Sequence, residues 1–450
     1  MPRSLSFEYA LTPDGIEANK RLLIDDTGVI AGIEDAPGGP FDGYFVLPGM
    51  PNAHSHSFQR LLRGFGEAAA TGGNFWSWRD TMYHFASRVT AQDLYVVARM
   101  AFAEMLRSGF TSVGEFHYLH HSTDGTRGPE MAHAVAAAAA ATGIRLRLFP
   151  VFYVSGGIGP DGAYLPPARG QRRFAHDTVV EFLGLLGELG GIAAGLAAHS
   201  LRAVPPGMLA DLVAGADSLL GPDTPLHIHV SEQPGEVRDC ELAHGAPPIR
   251  VLTDHVELGP RWNLVHATYA TDEELSLVSA AGANVILCPL TEAYLGDGVF
   301  PATSFLAGGG RLAIGSDSNV RIDPVEELRW LEYGQRLISR RRPCLAGPDG
   351  LGGRLWRECA ATGASALGLM AGAIERGRLA DLVVLPETEP IANIADKHRY
   401  LDALLTGLTG RRISDVYVGG RRRINNGAFP GVGAIRREYA EVIGRITDDA

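Results

Sequence analysis

Eight short apolar runs follow one another along the middle of the chain, and a helical stretch separates each from the next. They are VLPGMPNAHSH, FTSVGEF, RLRLFPVFY, AAGLAAHS, LHIHVSE, NLVHAT, NVILCPL and RLAIGSDS. Residues 91–108 and 271–281 are among the helical stretches, and the alanine run 134–141 is made of the best helix-forming residue. Two parallel strands can be joined only by a long crossover, most often a helix, so eightfold alternation predicts a parallel barrel. The two ends of the chain read differently. LSFEYAL, RLLIDDTGVIAGI and GYFVLPG at the start, with RLADLVVL and ISDVYVGGRRRI near the finish, are β-rich and broken by turns. The expected fold is therefore α/β: a (β/α)8 TIM-like barrel over residues 47–368, with a small β-sandwich domain built from residues 1–46 and 369–450. A Gly/Pro/Arg-rich stretch, 156–173, follows the third strand, where it serves either as a pocket wall or as a surface loop.

Charge and composition exclude several classes of function. Forty Lys and Arg against 51 Asp and Glu leave a net charge of −11, which disfavours nucleic acid and anionic membrane surfaces as partners. An acidic substrate would then have to meet local positive charge. The four cysteines show no CxxC pair, so a reduced, cytoplasmic setting is expected. The N-terminus, MPRSLSFEYALTPDG, lacks the apolar core of a signal peptide, and no apolar run reaches the roughly 18 residues of a membrane span.

Polar residues cluster at the C-terminal ends of the predicted strands, the face where barrels carry their chemistry. His54 and His56 end the first strand, and positions i and i+2 point to one face, so both imidazoles can reach one ion. His229 ends the fifth strand, His266 the sixth and Asp317 the eighth. A single strand histidine is usually structural, but four histidines and an aspartate at strand ends converge on one site. Imidazoles plus a carboxylate suit a borderline divalent ion that ionises a bound water. Glu232, three residues after His229, stands where a proton carrier is needed, although alone it reads equally as a surface glutamate. His227 lies on the same face as His229, inside the barrel. No role is assigned to His84, His120, His121, His133, His176, His244, His255 or His398, which lie off the strand-end pattern. His117 and His227 come closer to it, and His227 is not expected to be a ligand.

The runs NAHSHSFQR, HVSE, VHAT and GSDS, in that order, resemble the deaminase branch of the amidohydrolase superfamily over residues 47–368. Further runs are similar to the formimidoylglutamate deiminase family: LPGMPNAHSHSFQRLLRG, NFWSWRDTMYHFA, GEFHYLHH, AHSLRAV, HVSEQ and GSDSNVRIDPVEELRWLEYGQRL. One departure is Ala198, where that family's pattern has proline before His199. The resemblance implies His54, His56, His229 and Asp317 as metal ligands, with Glu232 as acid/base, His266 as electrostatic helper and Asp317 as proton acceptor. It implies Gln59, Arg79, Tyr118, His199 and Arg202 as the residues that hold the substrate. Binuclear relatives carry a lysine on the fourth strand. AAHSLRA has none, which implies one divalent ion per chain, with zinc as the expected metal.

The implied substrate, N-formimidoyl-L-glutamate, bears two carboxylates, and arginine forks pair with carboxylates in bidentate fashion. In WSWRD, Arg79 can instead pack on tryptophan at the surface, and Tyr118 reads equally as a packed loop aromatic. The expected reaction is hydrolytic deimination in histidine breakdown, carried out by a homodimer. A deaminase of purines or pterins on the same scaffold is the nearest alternative, and a non-catalytic scaffold barrel the distant one.

Overall fold

The computed structural model describes residues 3–36, 38–65, 67, 75–387, 390–408 and 412–447. Asn74, at the head of NFWSWRDTMYHFA, lies outside them. All eight runs form strands: Met50–Ser55, Phe110–His117, Arg145–Phe152, Leu196–Ala198, Leu226–Val230, Trp262–His266, Asn284–Leu287 and Arg311–Ile314. They pair side by side in sequence order as one parallel sheet. Six of these strands are buried at every position, as befits strands covered by helices outside and by packed side chains inside.

The barrel closes where the first strand meets the end of the eighth. Ser55 bridges Asp317 in parallel, and the Ser316 and Asp317 amides both donate to the His54 carbonyl, at 3.1 and 3.0 Å. Asn52 clamps the same seam: its amide donates to Ser316 Oγ at 2.6 Å, and its oxygen accepts the Ser316 amide at 2.9 Å.

The helices begin and end where local chemistry dictates. Ala91–Ser108 opens with a capping box between Thr90 and Asp93, and Asp272–Ala281 with one between Thr271 and Glu274. Glu130–Thr142 is the alanine-rich helix.

VLPGMPNAHSH reads as one strand but is split at Gly49. Gly43–Pro48 joins the terminal sheet, and Met50–Ser55 starts the barrel. At Gly49 a Cβ would come within 2.4 Å of Thr111 Oγ1, so only glycine lets the chain cross from one sheet to the other here.

The terminal segments form one seven-stranded sheet of their own. Its order is Arg421–Ile424, Asp415–Val418, Leu382–Leu385, Gly43–Pro48, Arg3–Thr12, Gly15–Ile24, Ile30–Asp35. A helix that sequence periodicity did not single out, Val432–Thr447, returns to the barrel and lies along Ala91–Ser108. It is fastened by the ion pairs Arg99–Glu438 and Arg445–Asp93 and by Tyr439 Oη donating to the Arg60 carbonyl at 2.9 Å.

Candidate metal centre and substrate pocket

Three histidine Nε2 atoms meet at the mouth of the barrel. His54 Nε2 lies 3.1 Å from His56 Nε2 and 3.0 Å from His229 Nε2. The protons on the far side of the rings can be assigned. His56 Nδ1 donates to the Phe116 carbonyl at 2.9 Å, and His229 Nδ1 to the His199 carbonyl at 3.1 Å. Neutral rings that protonate at Nδ1 turn their Nε2 lone pairs inward, where they repel one another unless a cation lies between them. Burial favours the neutral form of His54 and His229: it drives the His54 pKa down to about 3 and holds His229 well below the usual range.

Asp317 Oδ1 completes the cluster at 3.2 Å from His56 Nε2 and 3.5 Å from His54 Nε2. Burial opposes its charge, yet the His54 and His56 rings outweigh that penalty and hold its carboxyl below the usual carboxylate range. The donor set thus fits a divalent ion, and three of its members are near enough to one another to share one.

The backbone is strained at two of the strand ends around the cluster. His266 at φ 70° and Asp317 at φ 42° both occupy the left-handed region, which β-type strand ends rarely enter without glycine. Hydrogen bonds compensate. Asn319 Nδ2 donates to Ser55 Oγ, the His56 carbonyl and the Asp317 carbonyl, at 3.1, 3.0 and 3.0 Å. Asn319 therefore ties both ligand-bearing strand ends together.

Beside the cluster, Glu232 and His266 face each other, with Glu232 Oε1 3.8 Å from His266 Nε2. His266 Nε2 also lies 3.9 Å from Asp317 Oδ2. Burial raises the Glu232 pKa to about 7. Burial also works against the charge on His266, but Glu232, Glu292 and Asp317 overcome it and lift that pKa to about 10.

Gln59, Arg79, Tyr118, His199 and Arg202 all line the pocket that opens onto these groups, so the sequence-derived set is brought together. Gln59 Nε2 donates to Tyr118 Oη at 2.6 Å, while Gln59 Oε1 is buried without a partner among the described residues. Arg79 does stack on tryptophan, its guanidinium 4.5 Å from the Trp76 ring centroid, but it faces the pocket as well. Arg202 approaches the same indole at 5.5 Å. Arg79 Nε and Arg202 Nη1 are buried and unpartnered among the described residues. Two guanidinium groups gathered round one ring, each with an N–H left over, make a receptor for anions.

Sequence reasoning missed several pocket residues. Tyr153, Phe174, Trp78 and Leu295 line it too, and Trp78 Nε1 is a buried donor without a partner among the described residues. Tyr153 follows the third strand directly, a position that could have marked it, whereas Phe174 sits in a loop with no such signal. Glu292 was also missed. It follows the seventh strand much as Glu232 follows the fifth, and its Oε1 lies 3.2 Å from His266 Nδ1. His227 is buried two residues below His229 and bonds to the Ala366 carbonyl at 3.0 Å, away from the cluster.

A model of the amidohydrolase family matches residues 45–423. The formimidoylglutamate deiminase of Pseudomonas aeruginosa is 42% identical, over 98% of this chain and 99% of that protein. The crystal structure of an amidohydrolase from Brucella melitensis superposes with a TM-score of 0.89 at 40% identity, covering 99% of each chain. An adenosine deaminase from Xanthomonas campestris, solved with bound zinc, shares the fold at a TM-score of 0.80 and 22% identity, over 99% of this chain and 98% of that one.

Proposed function

Because the chain belongs to the amidohydrolase family, we propose that it hydrolyses N-formimidoyl-L-glutamate to N-formyl-L-glutamate and ammonia. One observation carries this reading beyond the family: a cluster of inward-facing histidine nitrogens shares a pocket with two arginines that have N–H groups to spare. A substrate with a reactive amidine at one end and two carboxylates at the other satisfies both halves. A flat purine or pterin would leave Arg79 Nε and Arg202 Nη1 without an anionic acceptor, which costs about 1–3 kcal/mol per unsatisfied buried group.

A divalent ion held by His54, His56, His229 and Asp317 supplies an activated water. We assign zinc, one ion per chain, on the nitrogen-rich ligand set and on the zinc in the Xanthomonas campestris relative. The protein groups do the rest. Arg79 and Arg202 pair with the carboxylates and hold the formimidoyl carbon over the cluster. Water adds to that carbon and gives a proton to Asp317 Oδ2. His266 Nε2 stabilises the charge that develops on the tetrahedral carbon's substituents. Glu232, with its pKa raised to about 7, holds a proton near neutral pH and passes it to the amino nitrogen of the tetrahedral species. The C–N bond then breaks as the hydroxyl on the same carbon returns its proton to Glu232 and becomes the formyl carbonyl, and the proton on Asp317 leaves with the ammonia. The proposed setting is histidine breakdown in the cytoplasm, by a homodimer. All four cysteines are free, which suits a reducing compartment. Among the described residues no helix is long and apolar enough to cross a membrane.

Ammonia release from a panel of N-formimidoyl amino acids, guanine and adenosine tests the proposal, with elemental analysis of the same preparation. N-formimidoyl-L-glutamate should be the best substrate, with about one zinc per chain. Preference for guanine or adenosine would overturn the substrate, and two ions per chain at full activity would overturn the mononuclear site.

A further inference from the structure

Glu292 sits on the short helix Pro289–Leu295, directly after the seventh barrel strand. Its carboxylate is buried behind His266, on the side of the ring away from the substrate pocket's charge cluster. Oε1 is 3.2 Å from His266 Nδ1 and also accepts the Cys288 amide at 2.9 Å. That second bond decides the direction of the first. An oxygen that accepts a backbone N–H has a lone pair, not a hydroxyl proton, on offer along that edge, so the proton between it and the ring belongs to Nδ1. The ring is thereby pinned, with Nε2 turned to Glu232 Oε1 and Asp317 Oδ2.

We infer that Glu292 is the positioning residue for His266: by accepting Nδ1–H it fixes which ring nitrogen faces the reacting carbon. The Glu292 helix is itself held in place. The Leu290 amide donates to the buried Glu327 carboxylate at 2.9 Å, and Thr291 Oγ1 is 3.0 Å from Ser318 Oγ, next to Asp317. The His266 backbone is equally constrained, because the following amide, that of Ala267, donates to the Val230 carbonyl at 3.0 Å. With both frames fixed, the side-chain bond is what sets the ring's rotation. Glu292 does not line the substrate pocket, whereas His266 does, so Glu292 reaches the substrate through the imidazole.

This inference rests on the deiminase reading for its kinetic arm only, and a spectroscopic arm is independent of substrate. Zinc-loaded protein labelled with 15N-histidine is compared with Glu292→Leu and Glu292→Gln, and the His266 signals are identified by their loss in His266→Asn. In the parent protein His266 Nδ1 should carry a hydrogen-bonded proton. Glu292→Leu should lose that signal and lower kcat by about 10- to 100-fold, with KM changed less than about 3-fold and zinc content intact. Glu292→Gln keeps a carbonyl oxygen for both the ring and the Cys288 amide. It should retain the Nδ1 proton and restore kcat to within about 10-fold of the parent. An unchanged Nδ1 signal in Glu292→Leu, or its loss in Glu292→Gln, would overturn the inference, as would parent-like kcat in Glu292→Leu. If Glu292→Leu does not fold, the Glu292→Gln spectrum decides alone. If the parent protein releases no ammonia from N-formimidoyl-L-glutamate, the deiminase reading fails while the spectra still test the positioning.

Discussion

Glu232 and Asp317 both look onto His266 Nε2, at 3.8 and 3.9 Å, yet their surroundings set them to opposite states. Burial dominates at Glu232 and lifts its pKa to about 7, whereas the histidine rings that crowd Asp317 keep it ionised despite its burial. Two carboxylates whose environments push them apart can divide acid and base work. Glu232→Gln should therefore retain zinc and fold but lower kcat by about 10²-fold or more. Parent-like turnover would remove Glu232 from the chemistry, and loss of zinc would move it into the ligand set. Arg79 and Arg202 present a different question, because either could read either carboxylate. Replacing each by methionine should lower kcat/KM by about 10- to 200-fold, given roughly 1.5–3 kcal/mol per charge-assisted hydrogen bond. A double cycle against substrates lacking one carboxylate assigns the pairs, since a variant loses little on the substrate that already lacks its partner. Equal losses on all substrates would mean that the arginines support the fold.

The stretch 156–173 shows how an element acquires a role that its composition leaves open. It folds as a two-residue hairpin, Gly157–Ile158 with Tyr164–Leu165, and a turn at Arg169–Gln171. Gln171 fastens it: Nε2 donates to Tyr153 Oη, the Gly156 carbonyl and Tyr83 Oη, at 2.7, 3.0 and 3.2 Å, while Oε1 accepts the Ala168 amide at 2.8 Å. Tyr153 and Tyr83 line the pocket, and so does Phe174, three residues beyond Gln171. No residue of 156–173 lines the pocket itself; the loop braces Tyr153 and Tyr83, which do. Gln171→Leu should release the two tyrosines and lower kcat/KM by about 10-fold, the worth of one or two hydrogen bonds, without loss of zinc. Steady-state kinetics with metal analysis checks this, and unchanged kcat/KM would reduce Gln171 to a surface brace.

Across the whole molecule, the buried acids make stability depend on pH once the metal is removed. Burial raises Asp297 to about 9 and Glu232 to about 7, and neighbouring carboxylates raise His266 to about 10. Each folded-state pKa lies above its unfolded value, so the folded chain retains protons that the unfolded chain gives up. The stability these groups contribute is complete below their unfolded pKa values and is lost as pH rises through the folded ones. Metal-free protein should therefore show a falling Tm as pH is raised from about 7 to about 10. Asp297→Asn should flatten part of that slope, because a neutral amide has no proton to lose. Scanning calorimetry of chelated protein reads this directly, and a Tm that rises over the same range would contradict it. His54, pushed down to about 3, has the opposite sign, so its contribution is lost on acidification below its unfolded pKa.

The barrel, its eight strands and the residues at their ends were legible in the sequence for one reason. A strand's apolar run and the polar residue that ends it are local, and the eightfold repeat of that pattern admits few topologies. The capped helices at 91–108 and 272–281 were legible for the same reason. What the chain order could not reveal lies between residues far apart in it. The break at Gly49 depends on the approach of Thr111 from another strand, and the return of Val432–Thr447 to the barrel depends on partners more than 300 positions away. Glu292 stands behind His266 only because the sixth and seventh strands are neighbours in the barrel. Which lone pairs face inward, and which arginine N–H groups go unpaired, are consequences of packing. Local pattern placed the candidate groups at the strand ends, and tertiary contact decided their protons, their charges and their orientation.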